Sequence, residues 1–282
     1  MVNTETRVCC LIGDPVAHSL SPLVHNCGYQ ALGLNYVYLA FRVKEAGPAV
    51  SAMRALGITG MSITIPHKTS ALEYVDEVDA NAREIGAINT IVNHNGRLKG
   101  YNTDYDAALK ALSEKTPLRG KKAVLVGSGA TALTIALALK HKGSHLVILN
   151  RTPGKAALLA ARVGVEDSGG FDRLEEVAGA DILINTTPVG MWPAVDDMVV
   201  PAKYLHPGLT VFDVVYHPKE TTLLSETKKA GGQVVYGHKM FLYQAVRQFE
   251  LFTGEAAPVM QMSQALVRAL KGEPIAAISH RR

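Results

Sequence analysis

The sequence predicts an α/β protein built from two domains. Short apolar runs that suit buried strands alternate with stretches that suit helices along most of the chain. A glycine-rich turn joins one of these runs to the helix that follows it, and residues 116–120, with a proline and a glycine, mark the entry to the second domain. The length of 282 residues is sufficient for two modest domains with separate cores.

The first domain, residues 1–103, is predicted to alternate strands and helices. Its first helix is predicted to begin at Ser21 as the N-cap, with Pro22 in the first turn, and to run to about residue 32. The pair Asn95 and Gly96 predicts a hairpin turn. Strands are predicted at 8–13, 36–42, 61–65 (ended by Pro66), 88–94 and 97–101, and a second helix at about 45–56.

The second domain, residues 104–238, has the pattern of a parallel sheet with helical crossovers. Strands are predicted at 122–126, 145–149, 181–184, 209–214 and 233–236, and helices at about 104–113 and 130–142. Two further helices, at about 239–252 and 258–270, have no strand partner. We therefore expect residues 239–282 to return to the first domain and complete it.

Composition and charge exclude several classes of protein. The net charge of +4 comes from scattered residues, so no basic stripe for nucleic acid is expected. No apolar run approaches the roughly 20 residues of a membrane helix, and no signal peptide is recognised. The cysteines Cys9, Cys10 and Cys27 lack disulfide spacing and predict free thiols in a reducing, cytoplasmic compartment. Cys9 and Cys10 lie in an apolar run and are expected to pack as small hydrophobic residues.

A glycine motif follows the first strand of the second domain. Gly127, Gly129 and Ala132 form a G-x-G-x-x-A pattern that opens a helix. Glycines permit a tight turn and close approach of the backbone, and a helix N-terminus attracts a pyrophosphate. The segment predicts a Rossmann-type, doubly wound dinucleotide-binding domain.

The end of the next strand indicates which dinucleotide is bound. An NAD enzyme places an acidic residue there for the ribose hydroxyls, but this chain has Asn150, Arg151 and Thr152, with Lys155 just beyond. Arg151 and Lys155 could neutralise a 2′-phosphate, which favours NADP over NAD. The alternative is that both are solvated charges at a helix start.

Three polar stretches of the first domain are candidates for a substrate site. Ser19 and Ser21 could bind a carboxylate beside a helix N-terminus, although Ser21 could also act only as a cap. Lys68 follows the end of a strand, where ligands of α/β domains gather, but a single lysine at a helix start is often a surface charge. Asp104 could bind substrate or simply favour the dipole of its helix.

Taken together, eight segments resemble the successive signatures of the shikimate dehydrogenase family, in the same order along the chain. They include Asn102-Thr103-Asp104 and Asn150-Arg151-Thr152. The full set is residues 13–26, 62–68, 86–90, 102–104, 150–152, 185–191, 213–218 and 237–244. The resemblance implies an NADP-dependent oxidoreductase that interconverts 3-dehydroshikimate and shikimate in aromatic amino acid (chorismate) biosynthesis. It also implies an N-terminal substrate-binding domain and no metal.

The resemblance also assigns roles to individual residues. Lys68 and Asp104 would form the catalytic pair, and Ser19 and Ser21 would hold the substrate carboxylate. The other substrate-binding residues would be Thr64, Asn89, Tyr216 and Gln244, with Asp104 also on the ring oxygens. The cofactor-binding residues would be Gly127, Ser128, Gly129, Ala130, Thr131, Asn150, Arg151, Thr152, Lys155, Thr187, Val214 and Gly237.

The chain departs from the family pattern at two positions. Ser62 stands where many members carry Asn, which is a minor change because related plant enzymes carry Ser. Ala130 stands where a second consecutive glycine is usual, and its methyl group could narrow the approach to the pyrophosphate. No role is assigned to His67.

Three alternative functions remain open from the sequence. A quinate or shikimate dehydrogenase using NAD is disfavoured by Arg151. A non-catalytic ligand-binding regulator should lack Lys68 or Asp104, and this chain has both. A folate-linked methylene dehydrogenase fits the pair Ser19 and Ser21 poorly. The expected partner is the small-molecule substrate, with no nucleic acid and no membrane, and the protein is expected to be a monomer or a homodimer.

Overall fold

The computed structural model describes residues 2–272, so residues 273–282 of the predicted first domain lie outside it. The chain divides into two compact units. Among the described residues, the first unit contains 2–103 together with 244–272, and the second unit spans Asp104–Tyr243. Within residues 2–272, no helix is both long enough and apolar enough to cross a membrane.

The first unit is built on a mixed sheet of six strands in the order β2-β1-β3-β5-β6-β4. Its strands are β1 (Arg7–Gly13), β2 (Tyr36–Arg42), β3 (Gly60–Ile63), β4 (Glu77–Val78), β5 (Thr90–His94) and β6 (Arg97–Tyr101). Its first helices are α1 (Ser21–Ala31), α2 (Ala46–Ala55) and α3 (Ala80–Ile85). Strands β5 and β6 pair antiparallel, and Asn95 (φ 55°) and Gly96 (φ 93°) form the turn between them, as predicted.

The prediction that Ser21 caps α1 is wrong. The N-cap position is Leu20, no side chain caps the helix there, and Ser21 is already helical. The hydroxyl at this end of the helix comes from Ser19, because the Ser21 N–H donates to Ser19 Oγ at 3.3 Å. Ser21 is therefore not occupied in capping.

Two predicted strands of the first unit are shorter in the structure. Strand β3 ends at Ile63 rather than at residue 65, because the chain turns after Thr64, whose carbonyl oxygen accepts the His67 N–H at 2.9 Å. Strand β5 begins at Thr90 rather than at residue 88, because the Ile88 N–H donates to the carbonyl of a turn residue, Lys68, at 2.8 Å.

The second unit is built on a six-stranded sheet in the order β12-β11-β10-β7-β8-β9, and every pairing is parallel. Strand β7 lies between β8 and β10, so the strand order reverses there, and ligands of doubly wound sheets bind at such a point. The strands are β7 (Lys122–Val126), β8 (His145–Leu149), β9 (Ser168–Gly169), β10 (Ile182–Asn185), β11 (Thr210–Asp213) and β12 (Gln233–Tyr236). The helices are α4 (Thr103–Ser113), α5 (Ala130–His141), α6 (Pro153–Val163) and α7 (Thr222–Lys229).

The last two helices are α8 (Gly237–Thr253) and α9 (Val259–Leu270). A Cβ atom at Gly28 of α1 would lie 2.8 Å from the Phe249 ring and 3.3 Å from Met262, so the glycine allows α1 to pack closely on both tail helices. The Cys27 thiol also lies 3.6 Å from the carbonyl oxygen of Gln261. The return of the C-terminal helices to the first unit is confirmed.

Cysteines in the first unit behave as core residues. Cys9 and Cys10 are free, and both are fully buried in β1. Burial raises the pKa of each thiol to about 12, so both stay protonated at neutral pH. The prediction that they pack as small hydrophobic residues is confirmed.

Candidate active site

Backbone hydrogen bonds hold three chain segments of the first unit side by side. The Asp14 N–H donates to Ile65 O at 2.9 Å, and the Ile88 N–H donates to Lys68 O at 2.8 Å. Gly13 makes the first contact possible, because a Cβ atom there would lie only 3.0 Å from Ile65 O. The segments that carry the predicted substrate residues before Asp104 are thus fixed relative to one another.

Lys68 lies half-buried in the turn after β3, two residues before a 3₁₀ helix at Ser70–Tyr74. It is therefore not at the start of an α-helix, where the sequence placed it. Thr64, at the beginning of this turn, is also half-buried. His67 is buried with its Nε2 2.9 Å from Val43 O, which gives it a structural role in the turn.

Ser19 and Ser21 lie close together at the beginning of α1. Ser19 is half-buried and Ser21 is buried. The Ser21 side chain interacts with Tyr38, a buried residue of β2. Burial raises the pKa of Tyr38 well above its usual value, so the phenol remains a neutral hydrogen-bonding group.

Asn89 holds the segment that leads to Asp104. Its Nδ2 donates to Thr103 Oγ1 at 3.0 Å, and its Oδ1 accepts the Thr103 N–H at 2.8 Å. Asn102 donates from Nδ2 to Ala87 O at 3.0 Å. Asp104 follows directly, buried in the first turn of α4. The candidate substrate residue Asn89 therefore also shapes the chain that carries Asp104.

A chain of buried side chains, not identified from the sequence, lies behind Asn89. The Tyr38 hydroxyl donates to Ser62 Oγ at 2.6 Å, and Ser62 donates to Gln248 Oε1 at 3.0 Å. Gln248 Nε2 donates in turn to Thr90 Oγ1 at 3.0 Å. Gln248 lies one helical turn after Gln244 in α8. A glutamine on the apolar face of this helix is the feature of the sequence that could have identified it.

The glycine loop of the second unit fits a bound pyrophosphate. Gly127 has φ +122°, and a Cβ atom there would collide with the Thr186 side chain. Gly129 is the N-cap of α5, no side chain caps this helix, and a Cβ atom at Gly129 would meet nothing within 4 Å. The first N–H groups of α5 are therefore open to an anion. Ser128 and Thr131 beside them are half-buried, and Ala130 is exposed as the first residue of the helix.

Positive charge follows β8. Arg151 and Lys155 are exposed, and neither forms an ion pair within residues 2–272. Asn150 turns the chain by donating from Nδ2 to Thr152 O at 3.1 Å. Both cations are thus available to a phosphate group, and the residues present fit NADP.

Buried polar side chains fix the ends of β10 and β11. Thr187 Oγ1 donates to Asn185 Oδ1 at 2.6 Å, and Asn185 Nδ2 donates to Asp213 Oδ1 at 3.0 Å. Thr221 Oγ1 donates to Asp213 Oδ2 at 2.7 Å. Burial raises the pKa of Asp213 to about 6, although these donors favour the carboxylate. The predicted cofactor residue Thr187 thus directs its hydroxyl proton into this network.

The remaining predicted residues lie after β11 and in α8. A Cβ atom at Gly237 would lie 2.5 Å from the carbonyl oxygens of Val214 and Val215, so only glycine allows this close packing. The Tyr216 ring lies 5.4 Å from that of Phe241, and burial raises the pKa of Tyr216. Gln244 is a half-buried residue of α8.

Three family models match the chain. Residues 11–91 match the shikimate dehydrogenase substrate binding domain, and residues 108–203 match shikimate / quinate 5-dehydrogenase. Residues 237–267 match the shikimate 5′-dehydrogenase C-terminal domain.

The chain belongs to the shikimate dehydrogenase family. It is 44% identical over 280 residues to shikimate dehydrogenase (NADP(+)) of Methanothermobacter thermautotrophicus, which covers 96% of this chain and 99% of the relative. A shikimate dehydrogenase crystallised in complex with NADP⁺ superposes with a TM-score of 0.91 at 38% identity, covering 96% of this chain and 98% of the other. The enzyme of Thermus thermophilus, in complex with NADP(H) and shikimate, gives a TM-score of 0.86 at 33% identity, covering 93% and 99%. The predicted family and the predicted two-domain α/β fold are confirmed.

Proposed function

We propose that this protein is an NADP-dependent shikimate dehydrogenase that interconverts shikimate and 3-dehydroshikimate in the biosynthesis of aromatic amino acids. The observation that carries the proposal is the match over nearly the whole chain to a relative named shikimate dehydrogenase (NADP(+)). Lys68 and Asp104, which a non-catalytic relative should lack, are both present. The exposed Arg151 favours NADP over NAD.

In this proposal the first unit is the substrate-binding domain. Ser19 and Ser21 bind the carboxylate through their hydroxyls, beside the N-terminus of α1. The ring oxygens are bound by Thr64, Asn89, Asp104 and Gln244, and Tyr216 lines the pocket. Several of these groups are held by the backbone and side-chain hydrogen bonds described above, which supports a preorganised site.

The second unit is the NADP-binding domain. The open N–H groups at the start of α5 suit the pyrophosphate, and Arg151 with Lys155 suits the 2′-phosphate. The full proposed set is Gly127, Ser128, Gly129, Ala130, Thr131, Asn150, Arg151, Thr152, Lys155, Thr187, Val214 and Gly237. Ala130 is exposed, so its methyl group faces solvent rather than the protein core. The methyl group can therefore narrow only the space that the pyrophosphate would occupy.

The chemistry divides between cofactor and protein. NADP, held by the residues of the second unit named above, would supply the hydride acceptor for oxidation and, in its reduced form, the hydride donor for reduction. In the direction of oxidation, neutral Lys68 removes the proton from the reacting hydroxyl, and in reduction its ammonium form donates a proton to the developing alkoxide. Asp104 accepts a hydrogen bond from the Lys68 amino group, and so keeps the lysine and the reacting oxygen in one hydrogen-bonded cluster.

A cytoplasmic location belongs to the proposal, supported by three free cysteines that suit a reducing compartment. We propose that the protein is a monomer or a homodimer and that its partner is the small-molecule substrate.

Initial rates of nicotinamide reduction, followed by absorbance, test the proposed function. The purified protein is offered shikimate or quinate with NADP or NAD, in all four combinations. Rapid reduction with shikimate and NADP, and much slower reduction in the other three, is the expected result. Dominant activity with quinate or NAD would assign a different substrate or cofactor, and no activity in any combination would favour a ligand-binding regulator.

A further inference from the structure

A one-directional chain of hydrogen bonds leads to the Asn89 side chain. It starts at Tyr38, whose hydroxyl donates to Ser62, and Ser62 donates to Gln248 Oε1. Gln248 Nε2 donates to Thr90 Oγ1 at 3.0 Å, and the Thr90 hydroxyl donates to Asn89 Oδ1 at 2.8 Å. All five side chains are at most 3% exposed, so protein groups rather than bulk water set these directions.

An aromatic ring packs against the start of this chain. The His25 ring stacks on the Tyr38 ring with centroids 4.3 Å apart and planes 9° apart. Burial lowers the pKa of His25 to about 3, so the imidazole is neutral at physiological pH. The neutral His25 ring therefore covers one face of the Tyr38 ring, whose hydroxyl is directed at Ser62.

The polarity of the chain determines which end of the Asn89 amide is the oxygen. Thr90 receives an N–H from Gln248 and so directs its single proton to Asn89. The Thr103 N–H points at the same Asn89 atom from 2.8 Å. Two donors therefore fix Oδ1 at this position, and a flipped amide would place its NH₂ against both.

The Asn89 NH₂ group then lies at the opposite end. One of its N–H groups donates to Thr103 Oγ1 at 3.0 Å. The other N–H has no protein partner among residues 2–272. The arrangement makes Asn89 a hydrogen-bond donor, suited to a ligand oxygen that accepts.

We propose that Gln248 is a positioning residue, which acts through Thr90 to fix the Asn89 amide with an N–H toward a substrate ring oxygen. This inference rests on the proposed function, in which Asn89 binds that oxygen. Gln248 acts through Asn89 and not on the reacting atoms, so its loss should have no effect once the Asn89 amide is gone.

A double-mutant cycle tests this dependence. Gln248→Met keeps the length of the side chain but cannot donate to Thr90. It is expected to lower kcat/KM for shikimate about 10-fold, by leaving Thr90 free to turn, with the KM for NADP unchanged. In an Asn89→Ala background the same substitution should lower kcat/KM less than about 2-fold. Gln30→Met, an exposed change in α1, is the matched control and should leave the kinetics unchanged.

Equal losses from Gln248→Met in both backgrounds would overturn the proposal, because a general packing defect acts whether or not Asn89 is present. If Gln248→Met does not fold, Thr90→Val interrupts the chain one step nearer Asn89 and serves in the same cycle with the same criteria. Wild-type turnover of shikimate is measured first. A wild-type protein without that activity contradicts the proposed function itself. An active wild type, in which Gln248→Met lowers kcat/KM equally with and without Asn89, contradicts only the role of Gln248.

Discussion

In the first unit, side-chain hydrogen bonds orient the candidate residue Asn89 in addition to the backbone hydrogen bonds that align the chain segments, whereas backbone geometry presents most candidate residues of the second unit. Asn89 is buried and bonded to side chains from β5 and α4. Gly129 is exposed at the start of helix α5, and Arg151 is exposed just after strand β8. Open N–H groups at the first position and a positive charge at the second are enough to bind phosphate groups. The difference suits the ligands: a small ring with several oxygens needs donors and acceptors in fixed directions, whereas a dinucleotide phosphate needs mainly positive potential.

The largest effect should come from the first unit. Lys68→Ala removes the proposed proton carrier, and kcat should fall about 1000-fold with a much smaller change in KM. Steady-state kinetics in both directions measure this. Lys44→Ala, an exposed lysine of the same unit, is the control and should keep full activity. A fall in kcat of less than about tenfold would show that Lys68 does not carry the proton.

The second prediction concerns Asp213. Unlike the exposed cofactor residues of the second unit, it is a fully buried carboxyl group held by side-chain hydrogen bonds. Its pKa is about 6 in the folded protein and near 3.8 when unfolded, so the folded state binds the proton more tightly. The free energy of unfolding should therefore fall as pH rises from about 4 to about 6, by up to about 3 kcal/mol, and stay level above that.

Urea unfolding of the wild type and Asp213→Asn across this pH range isolates the contribution of Asp213. The wild type should lose stability relative to the variant as pH rises. A constant difference between the two proteins would mean that the pKa of Asp213 is not raised.

The third prediction tests electrostatic recognition in the second unit. Arg151→Ala should raise the KM for NADP about 10-fold or more and leave the KM for NAD nearly unchanged, because only NADP carries the 2′-phosphate. Arg162→Ala is the control, because it removes the same charge at the far end of α6 and should leave the KM for NADP nearly unchanged. Equal changes for the two cofactors would remove Arg151 from the phosphate site.

The smallest expected effects are those of alanine substitutions at the two glycines of the loop, which should differ in their effect on stability. Gly129→Ala has room in the protein, so the melting temperature should stay the same while the affinity for NADP falls a few-fold. Gly127→Ala should lower stability by about 1 kcal/mol or more, because φ is +122° and a methyl group would meet Thr186. Thermal unfolding and NADP titration distinguish the variants. Equal losses of stability would contradict the open position of Gly129.

The second unit was the easier one to predict from sequence. Strands β7, β8 and β12 have the predicted bounds, because each is a short apolar run with turn residues on both sides. The glycine loop is also a local signal, since a few adjacent residues determine its geometry. Helices α6 and α7 were not predicted; α7 has only eight residues, of which two, Leu223 and Leu224, are apolar.

The first unit depends more on contacts between distant parts of the sequence. Ser62 meets Gln248 across 186 positions, and no local pattern encodes that hydrogen bond. Ser21 shows the same limit, since a serine before a proline resembles an N-cap although Ser19 supplies the hydroxyl. Motifs therefore supplied the candidate substrate residues, whereas the buried side chains hydrogen-bonded to Asn89 became visible only in the fold.

Transfer of deuterium most directly tests the claim that this chain moves a hydride between the ring carbon and NADP. The wild-type protein is given 3-dehydroshikimate with NADPH deuterated on the transferred face of C4, and the product is analysed by mass spectrometry. The account predicts shikimate that carries a single deuterium on the reacting carbon. Unlabelled shikimate, or no shikimate from protein that binds NADPH, would contradict it.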